Sequence, residues 1–261
     1  MAAAGLEQYM SAYKKWLLLG WVLGLAACAH RPASEPAQTE PEAGLAALPQ
    51  DWSVRELPGK ARTHYSMNAR ASRPCVQAYA KSSASLLRRR LHLSTEQLQE
   101  IRFEWWIDRF ESSREVDDPD VDDAPASLVL AFDGDVAQLS LRNRMLFELA
   151  HGIMGEAPPY ATLMYVWDAK AAPGTVKISP RSDRIRKIVI GSGQANRGGW
   201  LSFSRNVAQD YRLAFGEEAG PLVGAALMTD ADNGRGSAEA CYGPVQFLDA
   251  SYQELPGSLH F

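Results

Sequence analysis

The amino-acid sequence predicts a mainly β protein, a jelly-roll-like antiparallel β-sandwich with two helices in its connections, standing behind a secretory leader and a tether. Three observations predict it. Short runs rich in Val, Ile, Tyr, Phe and Trp recur through residues 51–261, parted by polar or Pro/Gly turns. Two stretches, 139–154 and 205–215, replace that rhythm with helical periodicity. Residues 221–248 read as a central hairpin. In its first arm Val223, Ala225 and Leu227 alternate with Gly224, Ala226 and Met228, so both faces are apolar and the strand belongs inside the fold. Asn233-Gly234 then supplies residues that tolerate a tight turn, and the return arm is 238–248.

Composition bounds the rest. The chain has 261 residues, 46% hydrophobic and 22% charged, which suits one large domain behind a tether. A formal charge of −4 with no long basic stripe excludes a nucleic-acid footprint. Arg88-Arg89-Arg90, within the alternating run 87–91, reads as a solvated strand face. Lys14-Lys15 precede an apolar run, 16–27, too short to span a bilayer comfortably and suited to the h-region of a secretory signal. It ends in Leu25-Ala26-Ala27-Cys28, which resembles the bacterial lipobox. That resemblance implies a signal peptide over 1–27, lipidation of Cys28 and a mature chain beginning there; a plain signal peptide or an uncleaved anchor are the alternatives. Loss of Glu7, Lys14 and Lys15 would take the charge from −4 to −5. Ala29, where an aspartate would retain a lipoprotein at the inner membrane, favours the periplasmic face of the outer membrane.

Residues 28–50, rich in Pro, Ala, Glu, Ser and Thr, make a disordered tether, and Asp51-Trp52 opens the sandwich domain, 51–261. Strands are expected at 76–81, 85–93, 101–108 and 127–133. In the helix 139–154, Leu139, Leu146, Leu149 and Ile153 make a broad apolar face for packing, with Arg142, Arg144 and Glu148 elsewhere. His151, near its end, suits capping or the surface, since no nucleophile motif accompanies it. Strands resume at 162–168, 184–191 and 200–203. Ser204 can then cap a helix in which Val207, Tyr211 and Phe215 recur at every fourth position, ending at Gly216.

Four constellations could carry chemistry. In 103–108, alternation sets Phe103, Trp105 and Ile107 toward the core and Glu104, Trp106 and Asp108 on the opposite face. An indole between two carboxylates can stack on a sugar while accepting its hydroxyls, although Trp106 covered by another element is an equal reading. Asp230, Asp232 and Asn233 offer three oxygen ligands to a structural Ca²⁺, against the plainer reading of a turn held by Asx hydrogen bonds. The acidic stretch 111–123 reads as a solvated loop. With Cys28 lipidated, Cys75 and Cys241 remain as an even pair, either bridged or separately buried. No phosphate loop, zinc motif or Gly-x-Ser-x-Gly elbow is present.

Phe103-Glu104-Trp105, 163–167, Arg205-Asn206-Val207 with Asp210-Tyr211, and 226–233 with Tyr242-Gly243 resemble the bacterial "domain of unknown function 3047" family. The resemblance carries no activity and no catalytic residue. It implies a sandwich similar to galactose-binding and other carbohydrate-binding modules, by fold analogy. The expected function is therefore a membrane-anchored envelope lipoprotein acting as a non-catalytic binding module for a glycan or another envelope component. A polysaccharide-acting enzyme and a lipoprotein docking on an envelope protein are the alternatives.

Overall fold

A computed structural model describes residues 47–111, 122–193 and 197–260. The leader, most of the tether and Cys28 lie outside the described residues. Among those described, twelve strands form two sheets that face each other across one apolar core, so the chain is a mainly β sandwich. The larger sheet runs β1 (Ser53–Glu56), β4 (Ala84–Leu93), β11 (Leu222–Asp230), β6 (Ala124–Phe132), β7 (Ala161–Asp168), β9 (Ser182–Ser192), β8 (Val176–Ser179). The smaller runs β10 (Trp200–Arg205), β5 (Glu100–Glu111), β12 (Ser237–Leu248), β3 (Arg73–Lys81), β2 (His64–Arg70). Pairing is antiparallel except between β7 and β9, which run parallel, so the larger sheet is mixed.

The residues of 221–248 do not form a hairpin. β11 sits between β4 and β6, with Leu227 opposite both Leu87 and Leu128, whereas β12 sits between β5 and β3 in the other sheet. Apolar alternation marked both strands as interior, and two interior strands of a sandwich need not share a sheet. The left-handed residue of the connection is Arg235 (φ 50°), not the Asn-Gly pair.

The inward faces interdigitate as side-chain size dictates. Phe103 of β5 stacks on Tyr165 of the opposite sheet at 5.6 Å, and Trp105 packs on Phe203 at 5.0 Å. Tyr242 of β12 spans the interior to reach β11 and β6. Its hydroxyl donates to the carbonyl of Met228 at 2.6 Å, accepts from the Ser127 amide at 3.3 Å, and lies 2.9 Å from Thr229 Oγ1. The β11 to β6 register slips between Met228 and Asp230. A slipped ladder leaves backbone groups without partners, and a buried carbonyl needs a donor; the tyrosine supplies one.

Cys75 and Cys241 form a disulfide between β3 and β12, Cα atoms 5.7 Å apart. Closing a loop of 166 residues stabilises by roughly 4 to 5 kcal/mol in the chain-entropy account.

The helices differ from expectation in what they bury. α2 (Val207–Phe215) is capped by Asn206, whose side chain accepts from the Gln209 amide at 2.9 Å, and ends at left-handed Gly216; Ser204 belongs to β10 and caps nothing. Tyr211 of α2 packs on Phe132 at 4.8 Å, closing one end of the core. α1 (Leu141–Met154) buries only Asn143 fully, while Leu149 and Ile153, expected to pack, are about three-fifths exposed. Its N-terminal end is tied to β9 by Asn143 to Asp183 (2.7 Å) and its C-terminal end to β1 by Arg55 to the Met154 carbonyl (2.8 Å). Fourteen helical residues span ~21 Å, close to the ~24 Å of the five strand spacings between β1 and β9. The helix thus crosses the strands as a strut. His151 is exposed in its last turn.

Replacing Tyr242 by Phe keeps the ring and deletes the donor to Met228. Denaturant unfolding should show a loss of roughly 1 to 3 kcal/mol with an unchanged denaturant slope. A loss under about 0.5 kcal/mol would mean that the hydroxyl does not hold the two sheets together.

Candidate functional site

Two places gather chemistry. The first is the crossing from β11 to β12. Asp123, Asp230 and Asp232 bring one carboxylate oxygen each within 4.8 Å of one another. Asp123, expected in a solvated loop, is buried and accepts the amides of Asn233 (2.9 Å) and Gly234 (2.7 Å). Residues 112–121 of that acidic stretch lie outside the described residues. Asp230 accepts the Asp232 amide at 3.2 Å, an Asx contact. Asp232 pairs with Lys60, while its Oδ1 is enclosed without a hydrogen-bond partner. Asn233 joins the group through its backbone. Burial, followed by the charge of Asp123, pushes the Asp230 carboxyl up to about 7, against smaller opposing effects of Lys187, Lys60 and Arg181. Partial protonation of Asp230 and the ion pair of Asp232 with Lys60 thus reduce the charge of the cluster from within. A divalent cation held by Asp123, Asp230 and Asp232 would have to displace Lys60 from Asp232 and any proton on Asp230.

The second place is the outward face of the smaller sheet. Glu104, Trp106 and Asp108 of β5 share that face, as alternation requires, and Trp106 is half-buried, not covered by α1. The register sets Trp200 of β10 directly opposite Trp106, with ring centroids 6.1 Å apart and planes 74° apart. The Trp106 indole N–H donates to Asp108 Oδ1 (2.8 Å), and Asp108 Oδ2 accepts from Arg70 (2.8 Å). Glu104 accepts from Ser202 (2.9 Å) and pairs with Arg73, whose guanidinium lies 4.5 Å above the Trp200 ring. Arg70 also reaches Glu239 (2.9 Å), and its carbonyl accepts the Trp200 indole N–H (3.1 Å). Trp200 leans across β5 toward Gly243 of β12, where a Cβ would stand 3.1 Å from both the ring and Glu104, closer than an ordinary contact, so a side chain there would make one of them shift slightly. Cys241 lies directly beside Trp106 in the register, anchoring this face through the disulfide.

The structure therefore brings together the three residues expected on this face and adds Trp200, Ser202, Arg70 and Arg73. Trp200 was legible only as the start of a strand; which strand pairs with β5 depends on topology. Both oxygens of Glu104 and of Asp108 already accept hydrogen bonds. Neither is presented as a free proton donor.

Fold and face define a β-sandwich protein with an aromatic, charge-laced outer sheet surface. The chain belongs to the family described as "Protein of unknown function (DUF3047)", which it matches over residues 50–246. No match to the chain is found among curated proteins.

The acidic crossing dictates a pH dependence. Asp230 ionises near pH 3.8 as an ordinary aspartate and near 7 in the fold. Its contribution is full below the lower value and is lost as pH rises toward 7, because the native state holds a proton that the unfolded chain has released. Asp230→Asn, which keeps the acceptor for the Asp232 amide, should raise the melting temperature at pH 8 by on the order of 5 °C and flatten its fall between pH 4 and 7. An unchanged or lowered melting temperature at pH 8 would contradict this. A rise on adding Ca²⁺ to the wild type but not to the variant would instead assign the cluster to a cation.

Proposed function

We propose that the protein is a lipid-anchored envelope lipoprotein, tethered through Cys28 at the periplasmic face of the outer membrane, whose sandwich is a non-catalytic binding module for an envelope glycan. The observation that supports this reading is the indole pair Trp106 and Trp200, set edge to plane on an outward sheet face among carboxylates and guanidinium groups. A sugar ring offers an apolar C–H face to an indole and hydroxyls to charged acceptors and donors. Trp106 needs little reordering to receive it, since its N–H is fixed on Asp108. Glu104 and Asp108 keep unused lone pairs, because a carboxylate accepts about four hydrogen bonds.

The enzyme alternative asks more of the same residues. A glycosidase needs one carboxyl as proton donor, and here both are held as acceptors by arginine, serine or indole donors. The acidic crossing enters this reading as part of the fold.

Retention of the purified protein on envelope glycan, including peptidoglycan sacculi, tests the proposal. Trp106→Ala should weaken retention by about 2 kcal/mol, roughly thirtyfold, the cost of truncating a central aromatic anchor. Unchanged retention would remove the site from this face, and release of soluble sugar would turn the reading to an enzyme. Mass spectrometry of the mature N-terminus should find an acylated Cys28; an unmodified terminus elsewhere would dispose of the anchor.

A further inference from the structure

α1 presents an apolar face that the sandwich does not use. Leu141, Met145, Leu149 and Ile153 are 68%, 65%, 59% and 61% exposed. Successive fourth positions advance by about 40° around a helix, so these four side chains form one continuous stripe along the strut. Leu146 and Arg142 border it in a shallow groove with Leu141, Met145 and Leu149. Exposed aliphatic surface of that length is unusual where nothing is to cover it.

The surroundings state what would cover it. At the C-terminal end of the stripe Arg55 holds the Met154 carbonyl, and Arg55 (3.4 Å), Arg88 (2.6 Å) and Arg90 all converge on the single carboxylate of Glu156. Three guanidinium groups on one carboxylate leave an excess of positive charge, and the Arg90 side chain is 73% exposed. The run 88–90, expected as a plain solvated strand face, is thus partly a charge cluster. Arg142 and Arg144 stand in the first turn of α1, at the other end of the stripe, and Glu148 is the helix's one acid. Three arginines thus face one glutamate at the C-terminal end of α1, in a protein whose total charge is negative. The chain also enters the fold at this edge, since Asp51 pairs with Arg89 (3.0 Å) and β1 lies on β4.

We infer that α1 and the arginine cluster at its end form a surface that docks on an anionic lipid bilayer, the aliphatic stripe entering the headgroup boundary and the arginines binding lipid phosphates. An aliphatic row bordered by arginine is the composition of interfacial helices, guanidinium suits phosphate, and anionic leaflets attract such clusters. Docking is independent of the glycan face and does not require acylation.

Oxidative footprinting of the full chain, mixed with vesicles of phosphatidylcholine alone or with added phosphatidylglycerol, reads this surface directly. Met145 should be oxidised several-fold more slowly on the anionic vesicles than on the neutral ones, with Met67 of the other sheet unchanged. The Arg88→Gln, Arg90→Gln double variant should lose the difference between the two vesicle types. Equal Met145 oxidation on both would overturn the inference. So would protection that needs no vesicles and grows with protein concentration, which would make a second copy the occupant.

Discussion

Two neighbouring strands of the chain, β11 and β12, lie inside two different sheets. Residues 231–236 must therefore carry the backbone from one layer to the other at the ends of these strands. Such a crossing takes backbone groups out of the ladders, and those that are buried, as at Thr229 and Gly234, need partners from elsewhere. Tyr242 meets this from one side, giving its hydroxyl to Met228, and Thr229 from the other, donating to the Pro125 carbonyl at 2.9 Å. Asp123 captures two amides of the crossing, and Asp230, partly protonated near neutrality, sits beside it without a full second charge. The acidic residues at this point are best understood as satisfying backbone donors in a confined space.

Much of this was legible in the residues themselves. Alternation located nine of the strands and separated the inner set Phe103, Trp105 and Ile107 from the outer set Glu104, Trp106 and Asp108, because period two is a local property. Pairing is not local. The supposed hairpin failed for that reason, as did any view of Trp200 beside Trp106. β2 went unseen because HYSMNAR has little apolar content and its turn to β3 uses Ala71 and Ser72 at positive φ, residues that give no turn signal. Periodicity identified α1 but not the direction of its apolar face. Leu141, Met145, Leu149 and Ile153 point away from the sandwich, a fact that depends on where Asn143 and Arg55 fasten its two ends.

The two surfaces read as functional share a logic. Each stands on rigid parts of the fold: the indole pair on β5 and β10, of which β5 pairs with the disulfide-bonded β12, and the aliphatic stripe on a helix tied at both ends. Binding then orders little that is not already ordered, which is how a modest surface gains affinity. They also lie on different layers. The indole face belongs to the smaller sheet, and α1 with its arginines to the larger, so a bilayer on one surface leaves the other open to a ligand.

The central functional claim is that a glycan rests on Trp106 and Trp200. Titration of peptidoglycan fragments followed by NMR of the indole N–H resonances of Trp52, Trp105, Trp106, Trp167 and Trp200, the tryptophans that remain once the leader with Trp16 and Trp21 is removed, addresses it most directly. The account predicts shifts confined to Trp106 and Trp200, with the buried Trp52, Trp105 and Trp167 unmoved. Shifts absent from that pair while backbone signals move elsewhere would contradict it.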